Sequence, residues 1–247
     1  MIHPKILVTG ATGRTGGAVV TQLLAKGYPV RAAVRVRDAR SDLLQRRGAE
    51  VVVADIFDPG QLMDAMRDVQ RAYYCPPYHP FVIQSASAFA AAARETGLEQ
   101  IVGLSQWLAG PNHPALLSRQ LWLIDQMFAA LPSIAHTVVN PGFFADSPYM
   151  EMMPFAAHLG VFPLPVAGES RNAPLSVDDI ARVAVAALLD PPATRASATA
   201  NWAETPQRYR NGRGHRPRRR SQSAACEDAA LDVLQGSQGA RPGAHPA

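Results

Sequence analysis

The chain predicts an α/β fold: a doubly wound parallel sheet with helices on both faces and a small, incomplete C-terminal lobe. Three observations predict it. Short apolar runs alternate with helix-period segments from Ile6 to Asn140. A glycine-rich turn joins the first run to the first helix. The regular pattern loosens only after Phe143. Strands that alternate with helices need crossover connections, and right-handed crossovers pack helices on the faces of a parallel sheet.

Each element has a local reason. Ile6–Thr9 is a buried strand that runs into Gly10, and Val19, Val20, Leu23 and Leu24 give the segment from Gly17 to Ala25 a helical stripe that Gly27 stops. Val30–Val34 is a second strand. Ser41 reads as the N-cap of a short helix to Arg47. Glu50–Ala54 is a third strand, Pro59–Met66 a helix, and Ala72–Cys75 a fourth strand ended by Pro76-Pro77. An Ala-rich helix from Phe81 to Thr96 ends at Gly97, and Gln100–Leu104 is a fifth strand. Leu116–Ala130 is a helix, and His136–Asn140 a sixth strand stopped by Pro141-Gly142. Residues 144–176 are rich in Met, Phe and Pro and read as substrate-side loops. Ser176 lies three residues before Asp179, a capping-box-like start to a helix over Ile180–Leu189. The domain reading is 1–145 for the sheet domain, 146–197 for a substrate-side lobe holding that helix, and 198–247 for an irregular basic tail expected to be disordered.

Composition narrows the class. At 247 residues and 47% hydrophobic, the chain can bury one large core and a small appendage. No apolar run reaches membrane-spanning length, so no membrane association is expected. Met1–Lys5 leads straight into a strand, which predicts no secretory leader. Two cysteines, Cys75 and Cys226, fit a reduced, cytoplasmic protein without a disulfide framework or a cysteine metal site. Residues 1–195 carry 16 basic and 16 acidic side chains, and residues 196–247 carry 8 and 4, so the net charge of +4 sits in the tail. The basic pI therefore does not mark the main domain as a nucleic-acid binder.

The turn reads Gly10-Ala-Thr12-Gly13-Arg14-Thr15-Gly16. Phosphates need backbone N–H donors with no side chain in the way. One glycine makes the tight turn, a second lets the backbone approach the pyrophosphate, and a third lets helix and strand pack closely. Placed between a strand and a helix, the triplet marks a Rossmann dinucleotide site. The end of the second strand selects the cofactor. A carboxylate there would take the ribose 2′-hydroxyl of NAD, but Arg35 stands in its place, with Arg37 and Arg40 following. Guanidinium forks suit a 2′-phosphate, so NADP(H) is the expected cofactor and NAD(H) the weaker alternative.

The glycine loop, Val34-Arg35, Ala54-Asp55 and Asn140-Pro141-Gly142-Phe143-Phe144 together resemble the NmrA-like group of atypical short-chain dehydrogenases/reductases, over about residues 4–192. The resemblance implies that Asp55 lies beside the adenine and that the strand end at Cys75 and Pro76 runs along the pyrophosphate and ribose. It also implies that Ser105 is the hydroxyl near the nicotinamide, and that Pro141, Gly142 and Phe143 border that ring. Cys75 reads as a small packed residue, because nothing in the sequence supplies it with a base.

Short-chain dehydrogenases use a Tyr-x-x-x-Lys pair, in which lysine lowers the tyrosine pKa for proton exchange. This chain has no lysine after Lys26, and Ser118–Asp125, where the pair is expected, holds neither residue type. Two functions follow. One is an NAD(P)H-dependent oxidoreductase acting on a quinone-like or other small carbonyl acceptor, where stacking and proximity carry most of the reaction. In that reading His79 or His113 is a candidate proton donor. The other is a non-catalytic NADP(H) redox sensor that binds a protein partner.

The tail departs from the family pattern. Its Arg/Pro/Gly/Ala-rich, aperiodic texture is what translation out of frame in GC-rich coding sequence would produce. The rival reading is a basic arm from Arg208 to Arg220 that contacts nucleic acid, though arginine runs with few aromatics are more often non-specific.

Overall fold

The structure, a computed structural model, describes residues 3–142, 144–145, 175–191 and 198–201. The lobe loops from 146 to 174, Phe143 and the basic run from Arg208 to Arg220 lie outside the described residues.

Seven strands form one parallel sheet in the order β3-β2-β1-β4-β5-β6-β7. They are β1 (Ile6–Val8), β2 (Val30–Val34), β3 (Glu50–Val53), β4 (Arg71–Tyr74), β5 (Gln100–Leu104), β6 (Ala135–Asn140) and β7 (Ala198–Asn201). The helices are α1 (Arg14–Ala25), α2 (Ala39–Arg46), α3 (Pro59–Met66), α4 (Val82–Glu95), α5 (Leu116–Ala129) and α6 (Val177–Leu189). Chain direction across the sheet reverses between β1 and β4, which places a ligand crevice at their C-terminal ends.

Two cores sandwich the sheet. On one face Val19, Val20 and Leu23 of α1 pack with Leu44 of α2 and with Ile180, Val183, Ala184 and Leu188 of α6. On the other, Leu62 and Met66 of α3 pack with Phe89 of α4 and with Leu121, Ile124 and Phe128 of α5. Strands buried on both faces read as continuous apolar runs, and Ile6, Leu7 and Val8 are fully buried.

Polar groups at strand starts hold helix ends. Arg31 of β2, nearly buried, donates to the carbonyls of Ala65 (2.9 Å) and Arg67 (2.6 Å) and pairs with Glu50 at 2.9 Å. Arg71 of β4 donates to Leu188 O at 2.6 Å, and Gln100 of β5 to Ala187 O at 2.7 Å. A donor at a helix C-terminus satisfies carbonyls that the helix leaves open.

Three boundaries differ from the sequence reading. Helix α1 begins at Arg14, so Gly16 and Gly17 lie inside its first turn; packing under the loop overrides their poor helix propensity. The cap of α2 is Asp38, not Ser41. Asp38 accepts from the N–H groups of Arg40 and Ser41, and the Ser41 hydroxyl accepts from Asp38 N–H at 2.8 Å, closing a capping box. Strand β7 stands at residues assigned to the irregular tail, paired in parallel with Thr137–Asn140 of β6. The expected Ser176 cap is present, its hydroxyl accepting from Asp179 N–H at 3.0 Å.

Candidate nucleotide-binding site

The glycine loop turns at the end of β1. Gly10 has φ +60°, a left-handed conformation that favours glycine, and a Cβ there would sit 3.2 Å from Cys75 Cβ. A Cβ on Gly16 would lie 2.3 Å from Gly10 O and 2.7 Å from its carbonyl carbon, both backbone atoms that cannot give way. These two glycines set the strand-to-helix turn. Helix α1 then starts at Arg14, with Gly13 as an N-cap that offers no side-chain bond and no acid in its first turn. Its positive end is therefore left to face an anion.

A cleft of about 590 Å³ opens over this loop, within the range of roughly 300–1,000 Å³ usual for cofactor and small-molecule sites. Its walls bring together nine of the sequence-predicted residues: Gly10, Thr12, Gly13, Arg14, Thr15, Arg35, Asp55, Cys75 and Pro76. Gly16 lies beneath the loop as packing.

The arginines divide. Arg35 is exposed at the end of β2 and lines the cleft. Arg40 also lines it, held by Asp38 Oδ2 at 2.7 Å. The Arg40 guanidinium and the Ser41 N–H hold the Asp38 carboxyl below the usual range. Arg37 turns away, donating to Gln45 Oε1 at 2.9 Å and Val51 O at 3.0 Å. Asp55 borders the cleft while its Oδ1 accepts from Phe57 N–H at 3.0 Å, so it also fixes its own turn.

On the facing wall, Cys75 N–H donates to Thr9 Oγ1 at 2.8 Å. The Cys75 thiol lies 3.6 Å from Thr15 Oγ1, and burial pushes its pKa up, as befits a packed residue rather than a nucleophile. His79 lines the cleft between the Phe57 and Phe81 rings, at centroid distances of 5.1 and 5.4 Å, and its Nδ1 accepts from Phe81 N–H. His113 does not line it.

Ser105, Pro141 and Gly142 stand at the ends of β5 and β6 but do not line the cleft. Strand parity sends Leu104 into the cleft and Ser105 to the opposite face, where its hydroxyl donates to Asp125 Oδ2 on α5 at 2.6 Å. Burial raises the Asp125 pKa to about 7, against the lowering effect of that bond. Pro141 is buried, and its carbonyl accepts from Trp107 N–H. Phe144, beyond the expected Phe143, reaches the cleft, as do Val36, Ile56, Phe57, Leu62 and Tyr78. The sequence reading missed these because only the fold joins the ends of β2, β3 and β4. Asp125 was missed as well, since its partner is 20 residues away.

Among the described residues no helix is long and apolar enough to cross a membrane. Comparison with known proteins agrees with the geometry. The chain is 32% identical to an NAD(P)H azoreductase of Xenophilus azovorans over 75% of its own length and 64% of the relative's. Its fold matches an NADPH-dependent quinone oxidoreductase of Escherichia coli, solved with NADPH, with TM-score 0.68 and 26% identity over 75% of this chain and 65% of that one. A Citrobacter triphenylmethane reductase solved with NADP(H) has the same fold, with TM-score 0.68 and 23% identity over 75% of this chain and 66% of that one. The chain thus spans less than two thirds of the azoreductase and of the quinone oxidoreductase. The profile of the NmrA-like family matches residues 3–204, more than four fifths of the sequence, and with the Rossmann sheet and its glycine loop this establishes that the chain belongs to the NmrA-like family.

Proposed function

We propose that this protein is an NADP(H)-dependent oxidoreductase that reduces a quinone-like or similar small acceptor without a Tyr-Lys pair. One observation carries the cofactor choice. Arg35 stands exposed in the cleft at the end of β2, while Asp38, three residues on, is engaged in capping α2 and holding Arg40. A 2′-phosphate finds the guanidinium groups of Arg35 and Arg40 on that wall.

The residues fit the rest of a dinucleotide. The uncapped start of α1 and the Gly10–Gly13 backbone face the pyrophosphate. Asp55 and Ile56 border the adenine half, and Cys75, Pro76 and Pro77 form the opposing wall. When bound, reduced nicotinamide supplies a hydride. The protein's part is to hold the acceptor flat against it and exclude water, which Leu104 and Phe144 serve by their apolar surface. The kinship with an azoreductase and a quinone oxidoreductase supports reduction of a small conjugated acceptor.

The test is a coupled one. Purified protein is mixed with NADPH and a panel of quinones, and loss of NADPH absorbance is followed beside NADPH binding by fluorescence. Turnover of at least one quinone is expected. Clear binding with no turnover rejects the reductase reading and leaves a cofactor-binding regulator.

A further inference from the structure

Phe57, His79 and Phe81 stand in a row at the rim of the cleft, on loops from two different strands. Phe57 lies between β3 and α3, and His79 and Phe81 lie between β4 and α4. Leu62 and Met66 of α3 pack with Phe89 of α4 in one core, so the two helices lie side by side and their starts meet. Ring centroids are 5.1 Å apart for Phe57 and His79 and 5.4 Å apart for His79 and Phe81, with tilts of 60° and 48°. Phe57 and His79 both line the cleft, beside Ala54, Ile56 and Leu62.

The row is held from several sides. Asp55 Oδ1 accepts from Phe57 N–H at 3.0 Å, and Asp55 N–H donates to Gln61 Oε1 at 3.0 Å. Pro76, Pro77 and Pro80 restrict the backbone on both sides of His79. His79 O accepts from Val82 N–H at 3.1 Å, and Gln120 Nε2 of α5 donates to Pro80 O at 3.3 Å. The ring is fixed as well, because His79 Nδ1 accepts from Phe81 N–H at 3.2 Å. A nitrogen that accepts carries no proton. In the neutral ring the proton therefore stands on Nε2, which is left as a donor. An exposed ring with a set position and a set donor is preorganised for a ligand.

We infer that the Phe57–His79 pair reads the adenine base of the cofactor: the base stacks against the two rings, and His79 Nε2–H donates to one of its ring nitrogens. The inference rests on the NADP(H) reading of the cleft.

Position and chemistry both point to a purine. Phe57 follows β3, the outermost strand on the side of β2 and Arg35, whereas Leu104 ends β5 on the other side of the crevice. A 2′-phosphate held at Arg35 fixes the adenosine ribose on the β2 side and leaves its base beside the β3 loop. The phosphates have their own partners in the glycine loop and the arginines. The rim offers something else: aromatic faces, the apolar side chains of Ala54, Ile56 and Leu62, and one N–H. A purine presents a π face and unprotonated ring nitrogens, which match those groups. The same placement assigns His79 to the adenine end and not to proton donation at the Leu104 and Phe144 end.

The experiment uses the full chain and two ligands that share both phosphates. One is 2′,5′-ADP, and the other is ribose 2,5-bisphosphate, which lacks the base. Calorimetry measures both for wild type, Phe57→Ala, His79→Ala and His79→Phe, and NADPH binding to wild type is followed beside them. Wild type should bind 2′,5′-ADP at least about 10-fold more tightly than the sugar bisphosphate. Phe57→Ala and His79→Ala should each weaken 2′,5′-ADP about 10-fold, the value of one base–aromatic contact, and leave the sugar bisphosphate unchanged. His79→Phe keeps the stack but loses the donor, and should cost about 5-fold. Nitrogen NMR supplies a second readout. His79 Nε2 should carry the proton in the free protein and shift on addition of 2′,5′-ADP but not of the sugar bisphosphate. Equal losses for both ligands would show that the rings only shape the loop, and overturn the inference. So would unchanged 2′,5′-ADP binding in both alanine variants, or a His79 signal that ignores the base. Wild type that binds neither 2′,5′-ADP nor NADPH rejects the cofactor reading itself, and the inference falls with it.

Discussion

The cleft and the layer behind its inner wall are built from different material. At β1 and α1 the chain presents backbone: a left-handed glycine, an uncapped helix start and a contact that admits no Cβ. Behind the inner wall, between β5 and α5, it holds side chains, Ser105 and Asp125, brought together across 20 residues. Backbone sites are tied to local spacing and tolerate almost no substitution at the glycines. Side-chain sites are tied to packing, and there the chemistry is set by burial rather than by residue type.

The largest way to break this contrast is Gly16→Val. Its new Cβ meets backbone 2.3 Å away, with no flexible atom to yield. NADPH affinity should fall by more than about 100-fold, with a stability loss of roughly 3 kcal/mol. Fluorescence titration and thermal melting measure both. Near-wild-type values would show that the turn relaxes and that its backbone is not the rigid half.

The second test sets Asp125 against His136. Buried His136 has no hydrogen-bond partner on either ring nitrogen, and its pKa drops from 6.5 to about 4. The unfolded chain binds that proton more readily, so His136 removes stability as pH falls from 6.5 toward 4. Asp125, raised from 3.8 to about 7, has the opposite sign, and folding gains as pH falls through that window. Each term is of order 3–4 kcal/mol from the size of its shift. Wild type should therefore show a nearly flat stability between pH 4 and 6.5. Asp125→Asn should expose a steep acid loss, and His136→Leu should make the protein more stable as pH falls. Urea unfolding at several pH values decides it. If Asp125→Asn leaves the profile flat, the two groups are not opposed in this way.

The smallest effect sharpens the nucleotide end. Arg35→Ala should weaken NADPH binding roughly 10- to 100-fold, the value of one charge-assisted hydrogen bond, and leave NADH binding unchanged. Equal loss for both nucleotides would show that Arg35 does not hold the 2′-phosphate.

Legibility followed the same division. The glycine loop was readable because a tight turn, a close approach and a packed helix each require glycine at a set spacing. Arg35 was readable because the strand end places it. Of the three arginines grouped there, the structure turns Arg37 toward β3, which spacing alone does not reveal. Ser41 and Asp38 are both good caps, and only the bond directions show that Asp38 holds the cap. Ser105 was expected in the site by resemblance, yet its hydroxyl turns from the cleft to Asp125, a partner that spacing did not reveal. An acid on an amphipathic helix looks the same whether it faces water or a buried hydroxyl.

Strand β7 carries a consequence of another kind. It is the outermost strand, and its backbone occupies the open side of β6. β6 holds the run Thr137-Val138-Val139, and its residues Thr137–Asn140 pair with β7. Shorn of its neighbour, such an edge becomes a template for another molecule's strand, and chains recruit one another into aggregates. The four residues at 198–201 cover that edge, and a shortened form of this protein should be cut after Asn201, never before Ala198.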